Sequence, residues 1–301
     1  MGWLFLSVTM LYLLLTILFS TSLVLSFKLF ERWGIDGFTA IVFNYWSALA
    51  TGIFFFPGGN ALVFHQVAQA KWFWPAAGLG VLFILVFTLT GETTKRRGVG
   101  VASVAMKLGL VFPVLWAFLW YGEPFSIWKM TGVVMAFCSV LLTSGVLEKV
   151  NKAEKQSKWA ILLPIFVFAG SGMCDSVAQF AQKKLLRPTD TGLFAAVDFL
   201  FAALSGTLVW LYFVVKGKKV HFPSVLAGFA LGVPNFLSFY YLLTALENLS
   251  HMGSAVVFMW VNVSVVLMGI ITGILFFKEK LTQKQWLGLG IALLAIVLVG
   301  L

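Results

Sequence analysis

Two stretches of the chain, W-Y-G-E-P-F-S-I-W-K-M-T-G from Trp120 to Gly132 and F-F-K-E-K-L-T-Q-K-Q-W-L-G from Phe276 to Gly288, align without gaps. Glu123 then meets Glu279, Ser126 meets Thr282 and Gly132 meets Gly288, and four residues beyond each glycine lies an alanine, Ala136 or Ala292. Each stretch closes one hydrophobic run and opens the next. A second gapless match sets the run at 38–56 against that at 191–215, pairing Asn44 with Asp198, Ala48 with Ala202 and Gly52 with Gly206. The sequence therefore repeats once, and the repeating elements are hydrophobic runs.

Of the 301 residues, 60% are apolar and 11% charged. A soluble domain carries about 25% charged residues to keep its surface wet, so this composition excludes one. About 20 apolar residues are needed to cross a bilayer. Ten such runs can be read, at 3–27, 38–56, 74–94, 99–121, 127–147, 159–182, 191–215, 224–246, 253–277 and 284–301. Hydrocarbon offers no partner to backbone N–H and C=O groups, so each run is expected to be helical; the short alternating strands of a barrel do not occur. The first run lacks a basic n-region and a cleavage site of small residues, and is expected to remain as a helix.

Cys138 and Cys174 fall inside runs and imply no disulfide framework. His65, His221 and His251 fall in loops or at helix ends and form no H-E-x-x-H or His/Cys cluster. Neither a metal site nor a cofactor is expected.

Five runs per repeat is an odd number, so the second copy enters the membrane the other way round. The expected fold is an all-α polytopic membrane protein with ten transmembrane helices in two inverted five-helix repeats, 1–150 and 159–301, joined by a basic linker at 151–158. The net charge of +10 then reads as a topology signal and not as an affinity for nucleic acid. Fifteen of the 21 Lys and Arg residues follow odd-numbered runs, five follow even-numbered ones, and Lys107 lies inside a run. This bias places both termini outside the cell. The stretch E-K-V-N-K-A-E-K-Q-S-K at 148–158 reads as a solvated connector, with a lipid-headgroup contact as the alternative.

V-F-P-V-L-W-A-F-L-W-Y-G-E from Val111 to Glu123 and S-V-V-L-M-G-I-I-T-G-I-L-F-F-K-E-K-L from Ser264 to Leu281 resemble paired motifs of the drug/metabolite transporter superfamily, specifically its EamA-like members. The resemblance covers nearly the whole chain. It implies ten helices, both termini in the cytoplasm and export of amino acids, related metabolites or drugs, in a superfamily that also exchanges sugar phosphates and nucleotide sugars. The chain departs from the pattern at Asn44, where many members carry arginine, and at Gly269, which stands in register with Pro113.

Ionisable groups in mid-span cost about 2.5–3.5 kcal/mol on insertion scales and mark functional positions. Lys107 lies a third of the way along the fourth run, too deep to snorkel easily, with Ser103 on the same helical face. Pro113 removes the usual donor to the carbonyl of Gly109, so the helix is expected to kink beside that face. The sixth run carries Ser171, Asp175, Gln179 and Gln182 on one face. Asp198, Asn235, Ser238 and Asn262 add mid-span polar groups, and Gly232 and Pro234 interrupt the eighth run. Asn262 lies one residue from the repeat-equivalent of Lys107, which predicts matched depths for the two. Trp260, Tyr240 and Tyr241 are candidates to line a cavity.

Two readings stay open for these groups. Lys107 and Asp175 face a central cavity, binding the charged ends of a substrate or exchanging a proton; or Lys107 pairs structurally with Asp175 or Asp198. Asp198, Asn44 and Pro113 are expected to serve packing or gating, and Glu123 and Glu279 to mark helix ends. With no G-x-x-x-x-G-K-[ST] motif, the chain is expected to be a secondary transporter in the bacterial inner membrane. Its partners would be a small-molecule substrate, amino acid-like or anionic, with membrane lipid and a coupling proton or ion. An embedded enzyme, a scaffold without transport activity, and a multidrug or sugar-phosphate-type exchanger are the alternatives. No catalytic residue set is found.

Overall fold

A computed structural model describes residues 2–55, 67–97, 99–123, 126–143, 158–277 and 282–300. Among these residues every regular element is helical. The helices are α1 (Gly2–Arg32), α2 (Gly37–Phe55), α3 (Phe73–Arg97), α4 in two segments (Val99–Leu108 and Val111–Leu119), α5 (Ile127–Thr143), α6 (Lys158–Lys184), α7 (Thr191–Val215), α8 (Phe222–Asn248), α9 (Ser254–Phe277) and α10 (Gln283–Gly300). They coincide with the ten hydrophobic runs. Helices α2, α3, α6, α7, α8 and α9 are long and apolar enough to span a bilayer, and α1, α4, α5 and α10 hold shorter apolar stretches. Linker residues 151–157 and Glu279 lie outside the described residues.

The residues that align between the repeats act at the helix starts. Ser126 and Thr282 each precede a helix, and their carbonyls accept its first bonds, from Met130 N at 3.0 Å and Trp286 N at 3.1 Å. This is the N-cap position that Ser and Thr favour. Asp36 caps α2 with its side chain, Oδ2 accepting from the Thr39 N–H at 3.1 Å.

Two compact units divide the chain, one of Met1–Leu85 with Val177–Asn248, the other of Val86–Ser176 with Leu249–Leu301. In the first, α2 packs on α7 and α8, and α8 also packs on α1. In the second, α5 packs on α10, and α9 packs on α10, α5 and the latter segment of α4. Each unit draws helices from both repeats. Repeat and compact unit are thus different partitions of the chain, and equivalent helices (α2 with α7, α5 with α10, α4 with α9) pack on each other. The α5–α10 contact follows from the repeated motif: Gly132 and Gly288 are buried, as are Ala136 and Ala292, and small residues at a spacing of four let helix backbones approach.

Glycines bring other helices equally close. A methyl group on Gly232 of α8 would lie 2.6 Å from the Asn44 carbonyl oxygen of α2, and one on Gly80 of α3 would lie 2.2 Å from that of Asp198 on α7. Rings fill the remaining space in the first unit, with Phe199 centred 6.0 Å from both Tyr45 and Phe236.

Candidate functional site

Helix α4 is broken one turn before Pro113. The Gly109 carbonyl, which has no donor at Pro113, accepts from Phe112 N at 3.0 Å, and the Lys107 carbonyl accepts from Leu110 N at 3.3 Å. These i to i+3 bonds replace the helical ladder over two residues. Ser171 of α6 compensates for part of the loss by donating its hydroxyl to the Met106 carbonyl at 3.0 Å. The helices cross at glycines on both sides: a methyl on Gly109 would meet Ser171 Oγ at 2.2 Å, and one on Gly172 would meet the Phe112 ring at 2.2 Å.

Lys107 ends the first segment of α4 beside this break. Its Nζ donates to Asn262 Oδ1 of α9 at 3.3 Å, while Asn262 Nδ2 donates to the Phe258 carbonyl at 2.9 Å. The depth match expected from the repeat is therefore a hydrogen bond. Asp175 lies in the same unit and attracts Lys107 electrostatically, but among the described residues the two form no ion pair. Ser103 belongs to the same segment; its side chain lies outside the described residues.

At the far end of α4, Glu123 reaches the start of α9. Its Oε1 accepts from the Ser254 N–H at 2.9 Å and the Ser254 hydroxyl at 2.6 Å. A carboxylate at a helix N-terminus satisfies orphan N–H groups and complements the helix dipole. Gly253 makes the approach possible, with φ of +93° and space in which a methyl would come 2.7 Å from Glu123 Oε2.

The first unit holds a cavity of about 150 Å³. Its polar wall is Asn44 of α2 and Asn235 of α8; Tyr45, Phe83 and Phe199 supply aromatic surface, and aliphatic groups of α1, α2 and α8 complete it. Asn44 is fully buried, and among the described residues neither its Oδ1 nor its Nδ2 has a hydrogen-bond partner. Its repeat-equivalent Asp198, next to Phe199, is also fully buried, with both carboxyl oxygens unpartnered among the described residues. Most buried polar groups are bonded, so such exceptions need a reason.

The other candidates divide between the units. Ser238 is buried and donates to the Asn235 carbonyl at 2.8 Å, close to the cavity wall. Tyr240 stacks on Phe236 with centroids 6.0 Å apart. Tyr241 stacks on Tyr12 and Phe19 of α1, each at 6.0 Å. Gln179 is fully buried in the first unit, Pro113 is buried in the second, and Trp260 is half-buried on α9. What the sequence did not reveal is the glycine crossing of α4 and α6, and the reach of Glu123 to α9.

A family profile, that of the EamA-like transporter family, matches residues 6–145 and again 162–301. The chain belongs to the EamA-like transporter family. Membership and spanning helices together make it an integral multi-pass membrane protein. An uncharacterized protein of Haemophilus influenzae is 29% identical over 287 residues, 94% of this chain and 95% of that protein. A Staphylococcus epidermidis protein named "Putative ribose uptake protein RbsU" is 28% identical over 259 residues, 81% of this chain and 77% of its own. One crystal structure shares the EamA-like chain's fold, with a TM-score of 0.72 at 15% identity over 97% of this chain and 96% of that one.

Proposed function

We propose that this EamA-like protein is a secondary active transporter that carries a small polar metabolite across a bacterial cytoplasmic membrane by alternating access of its inverted repeats. The observation that carries this reading is the broken α4 beside a mid-span lysine. Discontinuous helices free backbone groups near the bilayer midplane, where carriers bind substrate and coupling ions. Lys107 donates to a neutral amide and, among the described residues, forms no ion pair, although Asp175 attracts it, which supports a substrate bearing an anionic group, amino acid-like or an organic anion. Export is the direction that the family resemblance implies, with a proton or ion gradient supplying the energy.

A second substrate reading, a neutral sugar, is supported by the cavity in the first unit, whose described lining carries no charged side chain, and by the name of the staphylococcal relative. Counterflow in proteoliposomes tests the carrier. Vesicles preloaded with glutamate, succinate or D-ribose should accumulate the labelled counterpart of one of them, and only while sealed; Lys107→Ala should abolish the flux of an anion. Turnover of a solute by detergent-solubilised protein, with no compartment, would contradict the proposal.

A further inference from the structure

We infer that the edge of the first unit where the α1–α2 and α7–α8 loops meet is a binding site for an anionic phospholipid, with Arg32, Lys216 and Lys219 holding its phosphate group. The inference goes beyond the carrier reading and does not depend on which solute is carried.

Construction gives the first argument. Asp36 and Ser224 stand 188 positions apart, and the Asp36 N–H donates to Ser224 Oγ at 2.8 Å. Lys218 Nζ lies 2.5 Å from Asp36 Oδ2 and sits over the Phe38 ring, 5.1 Å from its centroid. Phe38 meets Phe213 edge-on at 5.8 Å, and Trp210 Nε1 donates to the Thr39 hydroxyl at 3.0 Å. The two loops are thereby held together before any ligand arrives, so a lipid that bridges them orders little further chain.

Charge gives the second argument. Residues 28–36 and 216–221 hold five Lys and Arg against two acids, Glu31 and Asp36. Asp36 is committed to Lys218. Arg32, Lys216 and Lys219 are exposed, and among the described residues none of the three forms an ion pair. This excess of cations is complementary to a phosphodiester, and basic clusters beside spanning helices are the usual hosts of anionic headgroups.

Apolar surface beside the cations decides between a lipid and a free anion. Helices α7 and α8 are both long and apolar enough to span a bilayer, so the α7–α8 loop lies at headgroup level. Tyr212 and Val215 at the end of α7, Phe222 at the start of α8 and Trp33 just after α1 are all exposed there. Lys216 Nζ lies 5.9 Å from the centroid of the Tyr212 ring. Aromatic residues at the ends of spans favour this boundary. A soluble phosphate would leave the apolar surface uncovered, whereas acyl chains cover it and add the burial of their own CH₂ groups.

The experiment is a thermal-shift titration of the purified full chain in dodecyl maltoside with phosphatidylglycerol, phosphatidylcholine and glycerol 3-phosphate. The proteins are wild type, Lys216→Gln/Lys219→Gln, Arg32→Gln, and a control, Lys71→Gln/Lys284→Gln, that removes two exposed lysines elsewhere in the chain. Phosphatidylglycerol should raise the wild-type Tm in a saturable manner that added salt weakens. Phosphatidylcholine, with no net charge, and glycerol 3-phosphate, with no acyl chains, should shift it far less. At about fivefold for each basic residue near an anionic headgroup, Arg32→Gln should bind phosphatidylglycerol roughly fivefold and Lys216→Gln/Lys219→Gln roughly 30-fold more weakly. The control should respond like wild type. Ligand-free Tm should be unchanged in every variant, since exposed side chains without an ion pair contribute little. The inference is overturned if the two lipids act alike, if glycerol 3-phosphate alone reproduces the shift, if the control loses as much as Lys216→Gln/Lys219→Gln, or if phosphatidylglycerol leaves the wild type unmoved. A lower ligand-free Tm of Lys216→Gln/Lys219→Gln would show that these lysines are bonded within the fold, and would overturn it as well.

Discussion

Repeat-equivalent polar residues have opposite fates in the two compact units. In the second unit Lys107 of α4 and Asn262 of α9, one residue from strict equivalence, meet at 3.3 Å, and Glu123 bonds the start of α9. In the first unit the side chains of Asn44 of α2 and its equivalent Asp198 of α7 bond neither each other nor any other group among the described residues, although the helices that carry them pack together. The same inverted-repeat construction therefore gives one polar pair that is closed and one that is open. A closed pair contributes to stability, and an open pair is buried at a cost.

The largest effects should come from the glycine crossings, which hold both arrangements. Gly172→Leu drives a side chain into the Phe112 ring, and Gly80→Leu drives one into the α7 backbone at Asp198. Overpacking of this kind costs about 1–3 kcal/mol or more, and each variant should show a sharply lower Tm or no monodisperse peak on size exclusion. Next is Lys107→Met. It leaves Asn262 Oδ1 without its donor and should cost about 1–3 kcal/mol, seen as a lower Tm in ligand-free protein; an unchanged Tm would remove the contrast between the units. Glu123→Ala should cost about 0.5–2 kcal/mol through the uncapped α9, with Glu123→Gln recovering part of it.

The smallest effect belongs to the membrane edge of the first unit. Asp36 Oδ2 lies 2.5 Å from Lys218 Nζ and accepts from Thr39 N. Burial raises its pKa, but the bonds from Lys218 and Thr39 outweigh burial and hold it below the usual carboxylate value. Because the folded value is the lower one, the stabilisation is fully present above the unfolded pKa of about 3.9 and is lost as the pH falls through the folded value. Asp36→Asn should therefore lower Tm slightly at neutral pH, with the difference from wild type shrinking towards pH 3. Half-exposed pairs of this sort are screened, and added salt should reduce the difference further.

The ten helices were legible in the sequence because a bilayer imposes one requirement on every residue of a run, and an apolar run reveals it without any knowledge of neighbours; six of the ten are long and apolar enough to span. The inverted repeat was legible through Glu123, Ser126 and Gly132 and their counterparts, and Ser126 with Thr282 and Gly132 with Gly288 do the same local work in both copies. The depth match of Lys107 with Asn262 followed from that register. The composition of the compact units was not legible, since it depends on which helices pack and the repeat boundary does not mark it. Gly109 and Gly172 were equally hidden: a glycine's importance lies in the helix that crosses it, some 60 positions away in sequence for this pair. The cavity draws on five helices, and the open state of Asn44 is visible only once all of its neighbours are in place.

The measurement that tests the contrast most directly is the ligand-free Tm of Asn44→Leu and Lys107→Met, taken side by side in one detergent. Opposite signs are predicted, with Lys107→Met less stable than wild type and Asn44→Leu as stable or more so. A fall of similar size in both would show that Asn44 is as fully bonded as Lys107, and would contradict the contrast between the two pairs.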